Sequence, residues 1–109
     1  MSYHIYLNCA DPCPHCYIDP MGFTSNAAAM WLEAAIDGYP RMTDLSGLTS
    51  EAAKAVIFEV IHKMRMDPER FRAYEPSNGW GKYDDFLPFL VRLHMRLDEN
   101  PHGTIDITT

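Results

Sequence analysis

Apolar and polar positions alternate in two short stretches at opposite ends of this chain, and between them they recur with helical spacing. Residues 3–8, Tyr-His-Ile-Tyr-Leu-Asn, are rich in aromatic and β-branched types. Their alternation predicts a strand with Tyr3, Ile5 and Leu7 on one face and His4, Tyr6 and Asn8 on the other. Residues 104–108, Thr-Ile-Asp-Ile-Thr, alternate in the same way and predict a second half-buried strand. Pro12, Pro14 and Pro20 each remove a backbone donor and fix φ, so the segment containing them reads as a loop, with a short extended piece around Tyr17 and Ile18.

The helical signals lie between the strands. Thr24, Ser25 and Asn26 are natural N-caps for a first helix that continues through Ala27 to about Asp37, with an apolar stripe of Met30, Trp31, Ala34 and Ala35 and a stop at Gly38. A loop covers 38–48. The second helix carries the clearest signature: Thr49 or Ser50 as cap, Glu51 in the first turn, Lys63 and Arg65 in the last, and Ala53, Ile57, Val60, Ile61 and Met64 on one face. Asp67 and Pro68 start a short helix that runs to about Tyr74. Residues 75–81, Glu-Pro-Ser-Asn-Gly-Trp-Gly, form a turn-rich loop whose Asn-Gly pair favours positive φ. A third long helix follows from Asp84 or Asp85 to Glu99, with Phe86, Leu90, Leu93 and Leu97 inward. With Asp85 as its N-cap, Pro88 falls in the first turn, where a missing N–H does no harm.

This order predicts an α+β fold: three main helices plus a short one, packed on a small sheet that pairs the N- and C-terminal strands. At 109 residues the chain fits one domain, 1–109, with a Cys-rich turn at 9–16. Apolar residues make up 47% of it, enough for a real core, and the 22% of charged residues argues against disorder. No stretch has the apolar length of a membrane span, and the N-terminal residues lack the basic and apolar regions of a signal peptide, so a cytoplasmic protein of the host cell is expected. The formal net charge of −6 disfavours direct nucleic-acid binding, which needs clustered Lys and Arg, and suits docking on a basic partner surface instead.

Specific chemistry is confined to one turn. Cys9, Cys13 and Cys16 fall within eight residues, an odd count at tight spacing that does not make a disulfide framework. Three thiolates converging from a Pro-containing turn bind Zn²⁺ once a fourth donor closes the tetrahedron, and His15 and His4 are the nearest imidazoles in sequence. The expectation is therefore one structural zinc on Cys9, Cys13, Cys16 and His15 or His4. One zinc per chain is expected in elemental analysis of the purified protein. A metal that binds only the folded form stabilises it, so chelation or Cys13→Ser should lower the melting temperature. Metal-free protein whose Cys13→Ser variant melts like the parent removes the site. The spacing Cys-x-x-x-Cys-x-x-Cys is also that of radical S-adenosylmethionine enzymes, but 109 residues with three helices cannot build the partial barrel those enzymes use. There is no Gly-x-Ser-x-Gly, no phosphate-cradling loop and no His-Glu-x-x-His, so an enzyme is not the favoured reading. Asp84 and Asp85 are explained by a helix start, and Trp31 and Trp80 by core anchoring, with Trp80 holding its loop against a long helix. By spacing, Met30, Met64, Met66 and Met95 fill the core.

Two segments carry a family likeness. One is Thr24-Ser25-Asn26 leading to Met30-Trp31. The other is Asp67-Pro68, then Pro76-Ser77-Asn78-Gly79-Trp80-Gly81 and Tyr83, then a helix ending Glu99-Asn100-Pro101. Together, over residues 22–108, they resemble a family of small uncharacterised proteins of bacteriophages and of bacteria carrying phage-derived genes. The Asn-Gly-Trp-Gly run is the most specific part, and Ala29 stands where the family has a proline. The resemblance implies a phage-derived context and brings no activity. The expected function is that of a small acidic accessory protein acting by contact with a host or phage protein, such as a host defence or nucleic-acid enzyme that it modulates. The alternative is a small zinc metalloprotein whose Cys/His site is itself functional.

Overall fold

A computed structural model describes residues 2–9 and 21–109. The chain is α+β: three antiparallel strands, β1 (Ser2–Cys9), β2 (Met21–Thr24) and β3 (Gly103–Thr108), form a sheet in the order β2-β1-β3. The N-terminal strand is central and the C-terminal strand pairs with it over its whole length, from His4 opposite Thr108 to Cys9 opposite Gly103. The alternation predicted for both strands is present: Tyr3, Ile5, Ile105 and Ile107 are buried, while His4 and Tyr6 are exposed on the other face. β2 lies further along the chain than the piece expected around Tyr17 and Ile18, two residues that lie outside the described part. Met21 and Phe23 stand opposite Ile5 and Tyr3, and Phe23 packs on the rings of Phe86 and Phe89 at centroid distances of 5.3 and 4.9 Å.

The helices bury their apolar faces against that inner sheet face. Thr24 ends β2 and caps the next segment, its hydroxyl accepting from the Asn26 N–H at 3.3 Å, and a 3-10 turn at Ser25–Ala27 leads into α1 (Ala28–Ala34). α1 stops short of Asp37 because the chain turns extended at Ala35, and the buried Trp31 donates its indole N–H to the Tyr39 carbonyl at 3.1 Å, tying the following loop back over the helix. A 3-10 turn at Met42–Leu45, within the segment read as loop, is closed by Asp44, which accepts from the backbone and guanidinium of Arg41. It buries Met42 and Leu45. α2 (Ser50–Met66) has the predicted start, with the Thr49 hydroxyl accepting from the Ala52 N–H. α3 (Pro68–Arg72) is the short helix, with Pro68 at its first position.

α4 (Tyr83–Glu99) begins before Asp85, with Lys82 as N-cap, so Pro88 lies inside the helix and not in its first turn. Two contacts pull the start upstream. The buried Tyr83 donates its hydroxyl to the Met64 carbonyl at 2.9 Å, and its backbone N–H donates to the Glu75 carboxylate at 2.9 Å. Pro88 is exposed there, on the solvent side of the helix, where the missing N–H costs least. Met30 and Met64 are core residues as expected, whereas Met66 and Met95 are exposed. One apolar cluster joins residues of β1, β3 and all four helices. Among the described residues no helix is long and apolar enough to cross a membrane.

Candidate functional site

The predicted metal ligands divide in two. Cys13, His15 and Cys16 lie outside the described residues. His4 and Cys9 are both in β1, with His4 opposite Gly22 and Thr108 and Cys9 opposite Gly103. Four residues of extended strand lie between them, which puts their Cα atoms roughly 16 Å apart. Among the described residues no group of three or more metal-ligating side chains comes together.

The loop between α3 and α4 has the most specific local construction, and it reverses one expectation. Trp80 does not anchor it: 65% of the side chain is exposed, the second highest value after Met66 among the large apolar residues that remain in solvent. The backbone on either side is held firmly. The Asn78 side-chain carbonyl accepts from the Trp80 N–H at 2.9 Å, and the Gly79 N–H donates to the Pro76 carbonyl at 3.3 Å. Gly79 and Gly81 both have positive φ, 80° and 84°. Gly81 is buried against the backbone of Asn26 and Ala27, so close that a Cβ there would lie 3.1 Å from the Ala27 nitrogen. Behind the loop, Arg72 holds Asp84 through two hydrogen bonds of 2.8 and 3.0 Å and lies over the Tyr83 ring at 4.7 Å. That guanidinium keeps the Asp84 carboxyl below the usual carboxylate range, with lesser help from the charge of Lys82. The loop is also tied to α1 at one remove, since Tyr74 and Arg70 both donate to Glu33 and lower its pKa, the Tyr74 hydroxyl contributing most.

The result is a displayed indole beside an open groove of about 460 Å³. Its floor is the outer sheet face at His4, Gly22 and Thr24, and its wall is Gly79, Trp80 and Asp85. Asp85 makes no hydrogen bond or ion pair with another described side chain, in contrast to Asp84 beside it. The groove brings the Thr24 helix start together with the Asn-Gly-Trp-Gly run, and adds His4 and Asp85 to them. The available signal was the pair of glycines flanking Trp80, which leaves the indole no neighbouring side chains to pack with. Because the indole is largely solvated, Trp80→Ala should change the unfolding free energy by less than about 1 kcal/mol in a denaturant melt. A loss of about 3 kcal/mol or more would mean a buried anchor after all.

No protein-family model, curated protein or solved structure matches this chain.

Proposed function

We propose that this protein is an acidic accessory protein that works by binding a partner protein, and that the partner docks at the Trp80 groove. One observation carries the reading: a loop built with two positive-φ glycines and an Asn78 turn holds a large apolar side chain in solvent, where it adds nothing to the core. Tryptophan is the residue most enriched at the energetic centres of protein interfaces, and an exposed indole beside a concave surface is suited to that role. The net charge of −6 supports a protein partner over a nucleic acid. The likeness to phage-derived proteins, whose most specific run is this same loop, supports a host or phage protein as partner, with modulation of a host defence or nucleic-acid enzyme as the outcome.

The test is a matched capture experiment from host lysate with the parent chain, Trp80→Ala and Met95→Ala. Met95 is also exposed but lies on α4 away from the groove lining. A partner retained by the parent and by Met95→Ala, and lost by a Trp80→Ala protein of unchanged melting temperature, is the expected result. A partner held equally by all three places the interface elsewhere and ends this reading.

A further inference from the structure

We propose that the Trp80 groove takes a cationic side chain, an arginine or lysine of the partner protein; this rests on the groove being the docking site. The indole face attracts a cation through its quadrupole, and tryptophan does so best among the aromatic residues. Asp85 stands on the same wall with its carboxylate unpartnered among the described residues, while the carboxylates of Glu33, Asp44, Asp84 and Asp98 each have a cation of this chain. An incoming guanidinium or ammonium thus meets an aromatic face and an uncompensated negative charge together. The chain's excess of acidic residues favours its approach. Lys82 follows the loop in sequence, its Cε 3.9 Å from where a Gly79 Cβ would be, and it is not among the residues that line the groove. Gly22, Gly79, Ser2 and Thr24 leave room for a long flexible stem, and Phe23 and His4 add a second aromatic ring and an imidazole to the described lining.

The experiment titrates the full chain with the acetylated, amidated peptide Gly-Arg-Gly-Arg-Gly and follows tryptophan fluorescence. Trp31 is fully buried, so a change produced by a surface ligand reports on Trp80. Matching peptides with glutamine or glutamate in place of arginine are the controls. Saturable quenching by the arginine peptide alone is expected, weakened by added salt and weaker by about three- to fivefold in Asp85→Asn, the loss of one exposed ion pair. Equal binding of the glutamine peptide, binding of the glutamate peptide through Lys82 and His4, an Asp85→Asn protein of unchanged affinity, or no saturation by any of the three overturns the proposal. Each of those outcomes leaves the docking site itself to the Trp80→Ala capture result, so the two readings fail separately.

Discussion

A chain lacking residues 104–109 should show no cooperative thermal transition. β3 is at an edge of the sheet by strand order, yet it is covered on both sides. It pairs with β1 along one edge, and along the other it is held by the segment before α2. There the Gly47 N–H donates to the Ile105 carbonyl and the Ile105 N–H to the Leu48 carbonyl, both at 2.9 Å. The Ser46 hydroxyl accepts from the Ile107 N–H at 2.8 Å and donates to the Ile107 carbonyl at 3.0 Å. Removing the strand takes two buried isoleucines from the core, about 1.5–3 kcal/mol each by burial alone. It also leaves the backbone groups of β1 and of the 46–48 segment without partners and opens Ile5, Met42 and Leu45 toward water. Against a total stability of about 5–15 kcal/mol for a domain of ordinary size, that loss is enough to abolish the folded state. Circular dichroism melts of the two chains decide it, and an unchanged curve would show a frayed tail that holds nothing.

The elements that were legible in the sequence are those whose signals are local. α2 has its cap, its terminal charges and its apolar stripe within seventeen residues, and its start is the expected one. β3 alternates cleanly because one of its faces is buried and the other is not. The boundaries that moved are set by contacts between distant parts of the chain. α1 ends early where Trp31 bonds across to Tyr39, and α4 begins early because Tyr83 reaches Met64 and Glu75. A cap residue such as Asp85 competes poorly with such contacts, and an exposed Pro88 can be tolerated mid-helix. Trp80 departs from the expected core position for a different reason. Large apolar residues favour the interior, but the rule does not run in reverse for any one residue, and a folded surface keeps many apolar atoms.

The Trp80 loop should be lost to a single methyl group at Gly81. Two costs meet there. The φ of 84° places an alanine in the left-handed region, a penalty of roughly 1–2 kcal/mol. The new Cβ would also lie 3.1 Å from the Ala27 nitrogen and 3.2 Å from the Asn26 carbonyl carbon, both backbone atoms where the chain turns into α1. These neighbours cannot rotate aside as a side chain would, so relief requires a shift of the loop or of the helix entry, typically about 1–3 kcal/mol more for an overpacked site. Gly81→Ala is therefore expected to destabilise the protein by about 2–5 kcal/mol. Gly79→Ala isolates the first cost. Its φ is 80°, but the nearest atom to its Cβ is the flexible Lys82 Cε at 3.9 Å, so a loss of about 1–2 kcal/mol is expected. Paired denaturant melts measure the difference, and acrylamide quenching of the exposed indole follows the loop in the folded state of each variant. If both glycine variants lose the same stability and quench as the parent does, close approach of the loop to α1 does not hold Trp80 in place. In that case the two positive-φ turns alone set the position of the indole. If Gly81→Ala alone alters the quenching, the contact with Ala27 is what fixes the indole over the groove, and partner capture should fall in that variant even under conditions where it remains folded.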